Sequence, residues 1–214
     1  MTRCPCVKDR MNKIKEKVVL ITGAGKGSGR LLALEFAEHG SLVAANDISP
    51  INVEEVVGQI IAKGGRAKAY VEDIAKKVGV QQVINQVEDD FGRIDILINH
   101  AAVEPHVSLL DMDEWDWHRV LDVNLTGAFL TTQSVGRLMR VQGSGVIINL
   151  ITDSKADQNR EAAFLATMSG LEGLTRQAAR ELVPYGIRVY SVKNLSETVV
   201  ERIFALLDLQ TEER

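Results

Sequence analysis

The sequence predicts an α/β fold in which one doubly wound parallel sheet of six to seven strands carries helices on both faces. Three observations predict it. Short apolar, β-branched runs alternate with longer stretches of helical periodicity. A glycine cluster follows directly on the first such run. No linker of low complexity, short-period repeat or second core divides the chain.

Each element follows from its residues. Residues 18–21 (VVLI) read as a buried strand, and the glycines after them lead into a helix through Leu31, Leu32, Leu34 and Phe36 that ends at Gly40. Residues 42–45 form a second strand and 53–62 a helix stopped by Gly64 and Gly65; a strand at 67–71, a helix at 80–91 and a strand at 94–98 follow. Residues 115–141 are expected to form one long helix, 146–150 (VIINL) a strand and 161–183 a second long helix. Pro184, Tyr185 and Gly186 turn the chain into a sixth strand at 187–190, with a short helix at 199–207 beyond it.

The 214 residues are 45% hydrophobic and 25% charged, which excludes disorder, collagen-like repeats and coiled-coil rods. A net charge of −4 gives no electrostatic reason for a nucleic-acid or acidic-membrane partner. No apolar run approaches the roughly 18 residues a bilayer span needs, so a cytoplasmic location is expected. Cys4 and Cys6 are too few and too close for a disulfide framework or a zinc site, and no metal site is supported. Residues 1–12 are expected to be a disordered tail and 13–214 one dinucleotide-binding domain.

Thr22, Gly23, Ala24, Gly25, Lys26, Gly27, Ser28 and Gly29 stand between the first strand and its helix. Glycines there let the backbone turn sharply and approach a pyrophosphate, whose charge the helix N-terminus stabilises. Asp47, followed by Ile48, falls at the end of the second strand, 18 residues beyond Gly29. A carboxylate there can accept hydrogen bonds from an adenosine ribose and repels a 2′-phosphate, which favours NAD over NADP. Lys26 argues weakly the other way, since its ammonium either pairs with a phosphate or is simply a solvated loop charge.

From this point the chain resembles the short-chain dehydrogenase/reductase family, whose Rossmann-like cofactor motif T-G-x-x-x-G-x-G is matched by Thr22, Gly23, Gly27 and Gly29. The resemblance extends to about residue 192. It implies that Asp73, with Ile74 beside it, contacts the adenine. Asn99 and Ala101 belong to the family's N-N-A-G element, which braces the sheet and borders the cofactor; His100 and Ala102 depart from it. Asn124 stands where the family carries a catalytic Asn, although by spacing alone it is equally a helix-bending polar residue. Thr152 stands where the family has a substrate-orienting Ser, a place where a hydroxyl also serves to cap a turn.

The next family motif, Y-x-A-S-K followed by x-G-x-x-G-L-T, aligns through Ala166, Gly170, Gly173, Leu174 and Thr175. Phe164 and Met168 therefore occupy the positions of the catalytic Tyr and Lys. A phenyl ring has no proton to exchange and a thioether no charge, and losing a positioned acid/base removes about 10² to 10⁴ in rate. The gap from Thr152 to Phe164 is one residue shorter than the family pattern, suggesting a modified loop. Asn194 and Leu195 replace a family Pro-Gly, and about twenty residues follow; the resemblance then implies a truncated substrate region and an open cleft.

The expectation is an NAD-binding relative of these enzymes impaired in hydride transfer. The alternative is an active NAD(P)-dependent oxidoreductase acting on an alcohol or ketone with Thr152 or a water as proton donor. A third reading, an interaction module without cofactor, is opposed by the intact Gly23, Gly29, Asp47 and Asp73. Resemblance further implies a homodimer or homotetramer through the two long helices, with Phe164, Leu165, Leu171 and Leu174 offering apolar area, although core packing is the default explanation for each. His118, beside Trp115 and Trp117, has no ligand-spaced partner and reads as a surface histidine.

Overall fold

The computed structural model describes residues 14–152, 162–193 and 198–208. The expected N-terminal tail with Cys4 and Cys6, the shortened loop after Thr152, and Asn194 and Leu195 lie outside them.

Six parallel strands form one sheet in the order β3-β2-β1-β4-β5-β6. They are β1 (Val18–Thr22), β2 (Leu42–Asp47), β3 (Arg66–Val71), β4 (Ile96–Asn99), β5 (Gly145–Ile151) and β6 (Ile187–Lys193). β1, β4 and β5 are buried along their whole length. A parallel strand covered on both faces needs a continuous apolar run rather than an alternating one, which is what VVLI and VIINL supply.

Helices α1 (Gly27–Glu38), α2 (Pro50–Ala62) and α7 (Val199–Asp208) cover one face; α3 (Lys77–Phe91), α5 (Ala128–Gln142) and α6 (Ala162–Leu182) cover the other. Alternate residues of β1 serve the two faces: Val19 and Ile21 pack toward α1 and α2, while Val18 and Leu20 pack toward α3 and α5. Burying each such side chain stabilises by about 1.5–3 kcal/mol. α7 leans on α1, the Phe204 ring lying 5.0 Å from Phe36 and 4.8 Å from His39.

The expected single helix over 115–141 is instead three consecutive helical pieces: α4 (Glu114–Leu121), a π-helical stretch (Asp122–Gly127) and α5. The Asp113 carboxylate caps α4 by accepting from the Asp116 amide at 2.7 Å. Within the π stretch Gly127 lies against Ile74, whose Cδ1 would be 2.5 Å from a Cβ at that position. The second long helix ends at Leu182, one residue early, because Pro184 can serve only in the 3₁₀ turn that follows (Val183–Tyr185). Of the others, α1 stops at Glu38, two residues short of Gly40, and β4 starts two residues late, at Ile96; the rest run one to three residues beyond their expected bounds.

Register lines up the carboxyl ends of the inner strands: Thr22 stands beside Asn46 on one side and Asn99 on the other, and Asn99 beside Asn149. All four are buried, so a polar layer closes the apolar sheet at the edge where the cleft opens. No helix among the described residues is long and apolar enough to cross a membrane.

Candidate dinucleotide cleft

The crossover between β1 and β4 leaves a crevice beyond the strand ends, and the glycine turn sits in it. Gly23 (φ 66°) and Gly27 (φ 53°) take the left-handed backbone that lets the chain leave β1 and enter α1. Gly29 answers a different need: a Cβ there would lie 2.3 Å from the Gly23 carbonyl and 2.5 Å from His100 Nδ1. Thr22 Oγ1 ties the turn to β4 by accepting from the amides of His100 (3.1 Å) and Ala101 (3.2 Å). The Gly23 carbonyl can only accept, so His100 Nδ1, 3.0 Å away, must carry the proton. Burial pushes the His100 imidazole below its ordinary pKa, opposed by the Gly23 carbonyl and the Asp47 charge.

A cavity of about 770 Å³ extends from this turn over the ends of β2 and β3. Gly23, Lys26, Gly27, Asp47, Ile48, Asp73, Ile74 and Ala101 line it. Gly25 and Gly29 do not; both are buried and shape the turn from behind. Gly25 donates its amide to Asp47 Oδ2 at 2.9 Å, and Asp47 Oδ1 accepts from the Ser49 amide at 2.9 Å. The carboxylate is thus fixed by two backbone donors while keeping lone pairs for a ligand. Ile48 is exposed at the rim and Lys26 is solvated. Asp73 Oδ1 accepts from the Ala75 amide at 3.0 Å, and Oδ2 lies 3.3 Å from Lys76 Nζ.

A wall of this cavity was not foreseen. Trp115, His118 and Arg119 of α4 line it, with the Arg119 guanidinium 5.3 Å from the centre of the Trp115 ring. Their i, i+4 spacing was the available signal. His118 is exposed, as expected, and stands 3.5 Å from Glu114.

A second cavity, about 290 Å³, adjoins the first and shares Gly27, His100, Ala101 and Ala102 with it. Its wall brings together Ser28, Asn99, Asn124, Thr152, Phe164 and Met168. Asn99 is a brace: its Nδ2 donates to Asn149 Oδ1 (2.8 Å) and Thr132 Oγ1 (3.2 Å), and its Oδ1 accepts from Thr131 Oγ1 (2.7 Å). Asn124, in the π stretch, clasps the Val103 backbone, accepting from its amide at 2.8 Å and donating to its carbonyl at 3.0 Å; its Nδ2 also reaches Thr167 Oγ1 at 3.3 Å. Thr152 is half-buried at the end of β5.

Phe164 and Met168 are 3% and 5% exposed and pack with Ala128, Ile151 and Leu171 in one apolar cluster. For Phe164 and Leu171 the default explanation, core packing, is the one observed: they spend their apolar area inside their own chain and not on a surface for a second copy. Leu165 is exposed, and Leu174 is half-buried against the same cluster. No group of three metal-ligating side chains occurs among the described residues.

A parallel sheet in this order, with a glycine turn into a helix at its switch point, defines the Rossmann-like class of nucleotide-binding folds. Within that class the chain belongs to the short-chain dehydrogenase family, whose model matches residues 17–195. A 3-oxoacyl-[acyl-carrier-protein] reductase of Staphylococcus epidermidis is 42% identical over 178 residues, 82% of this chain and 73% of the relative. An uncharacterized oxidoreductase of Thermotoga maritima is 39% identical over 177 residues, 82% of this chain and 70% of the relative. Among solved structures, an NAD+-bound xylitol dehydrogenase superposes with a TM-score of 0.81 at 34% identity, covering 85% of this chain and 71% of that one. A metagenomic short-chain oxidoreductase in complex with NADP gives 0.84 at 26% identity, covering 95% and 93%. The family binds NAD(P), and both nucleotides occur among the structural neighbours.

Proposed function

We propose that this chain is an NAD-binding short-chain dehydrogenase-like protein impaired in hydride transfer. One observation carries the reading: the side chains at the family's Tyr and Lys positions, Phe164 and Met168, form a closed apolar cluster beside an otherwise built cleft. The pyrophosphate would rest on Gly23, Lys26, Gly27 and Ser28 at the start of α1, with Gly25 and Gly29 permitting the turn. Asp47 would accept from the adenosine ribose beside Ile48, Asp73 and Ile74 would hold the adenine, and Asn99 and Ala101 would border the second ribose. The Asp47 carboxylate would stand where a 2′-phosphate falls, and like-charge repulsion there favours NAD over NADP.

Calorimetric titration of the purified chain with NAD+, NADH and NADPH at fixed salt tests this. NAD(H) should bind about tenfold or more tighter than NADPH, since one close charge repulsion near a surface is worth over 1.4 kcal/mol. Equal affinity for NADPH would remove the Asp47 argument, and no binding by any of them would remove the reading.

A second reading is an active oxidoreductase acting on an alcohol or ketone, with Thr152 or a water as proton donor. It is supported by the reductase named among the relatives and by the convergence of Thr152 and Asn124 on one cavity. NADH-linked turnover of small ketones by the unaltered chain would favour it over the first.

A further inference from the structure

We infer that the cleft selects its ligand by the adenosine diphosphate half alone, so that ADP and ADP-ribose are held as tightly as NAD+ or NADH. This rests on the reading above that the cleft takes a dinucleotide, and it names the part of the ligand that is recognised.

The division of the cleft is the first argument. The larger cavity gathers charged and strongly polar groups on one ligand-sized surface: Lys26, Asp47, Asp73, Lys76 and Arg119. The smaller one collects this chain's departures from the family motifs, with His100, Ala102, Thr152, Phe164 and Met168 all on its wall. Of these only His100 and Ala102 also reach the larger cavity, at the shared boundary.

The state of the polar groups around the smaller cavity is the second argument. Asn99 and Asn124 have both amide hydrogens and the oxygen engaged with protein partners. The proton of the His100 ring goes to the Gly23 carbonyl. Phe164 and Met168 supply neither donor nor charge. Glu104 lies exposed at the mouth, where water and salt screen its charge. Ser28 and Thr152 offer hydroxyls, which meet oxidised and reduced rings alike.

Among the described residues of that wall, a nicotinamide ribose would bury its hydroxyls beside few groups able to answer them. That penalty offsets what the ring gains by leaving water. On this inference the second half of a dinucleotide adds no net affinity, and the charge difference between NAD+ and NADH meets no buried counter-charge among the described residues that would report it.

The test is calorimetric titration of the full chain with ADP, ADP-ribose, NAD+ and NADH at one salt concentration. The four dissociation constants should agree within about fivefold, a spread of about 1 kcal/mol. A dinucleotide that binds more than fivefold tighter than ADP, or NAD+ and NADH that differ by more than that factor, overturns the inference and leaves the proposed function standing. No binding by any of the four overturns both.

Discussion

At the adenosine end of the cleft, glycines and carboxylates hold backbone segments within contact distance: Gly29 is pressed on the Gly23 carbonyl and His100, and Asp47 is pinned by two amides. At the other end, more than a hundred residues further along the chain, helix α6 presents a phenyl ring and a thioether packed against Ala128, Ile151 and Leu171. The first end is built from positions where one extra carbon would collide; the second is filled by apolar side chains packed on one another. Close backbone approach limits the one, side-chain packing the other.

Introducing a Tyr and a Lys in place of that phenyl ring and thioether tests the contrast most strongly. Phe164→Tyr together with Met168→Lys should raise NADH-linked turnover of small ketones by about 10² to 10⁴ over the unaltered chain. It should also lower stability by about 1–3 kcal/mol, because a hydroxyl and an ammonium enter an apolar cluster without partners. Turnover that stays at the starting value while the variant remains folded would break the comparison, since the reaction end would then lack more than those two groups.

Gly29→Ala probes the other end. Its new methyl meets a backbone oxygen at 2.3 Å, so the urea midpoint should report a loss of about 1–3 kcal/mol from overpacking. Gly58 is the matched control: it lies within α2, exposed, with nothing inside 4 Å of an added Cβ. Gly58→Ala should stabilise by about 0.5–1 kcal/mol through helix propensity. Equal behaviour of the two variants would show that the turn gives way and is not the rigid end.

The smallest effect concerns His100, which borders both ends. Burial holds its imidazole neutral below the ordinary value of about 6.5 in the folded chain, while the unfolded chain protonates normally. Below that pH the unfolded state binds a proton the folded state refuses, so this residue's share of stability is intact above about pH 6.5 and falls as pH drops. The urea midpoint of the unaltered chain should therefore decline more between pH 7 and pH 5 than that of His100→Asn. Parallel declines would mean that His100 titrates as freely folded as unfolded.

Much of this molecule was legible in the chain itself. A strand buried on both faces must be apolar throughout, so VVLI and VIINL could be recognised without knowledge of their neighbours. The glycine spacing after β1 fixed the turn, because left-handed backbone and close approach both exclude a side chain there. Resemblance to the family motifs assigned Phe164 and Met168 to the Tyr and Lys positions by register, an expectation that their own side chains, with no chemical signal of a site, could not supply.

What the tertiary structure alone decided is where side chains spend themselves. Asn99 and Asn124 could each be named from a motif, yet only the packed sheet shows that their amides are consumed by Asn149, Thr131, Thr132, Val103 and Thr167. Between core packing and partner contact for Phe164 and Leu171, it was the folding of α6 onto Ala128 and Ile151 that decided for the core. The Trp115 and Arg119 wall became part of the cleft only when α4 was set beside β2 and β3 ends far away in sequence. The physical reason is common to all three: periodicity and backbone demand are local properties that a sequence displays directly, whereas burial and hydrogen-bond satisfaction depend on partners that only the closed fold brings within reach.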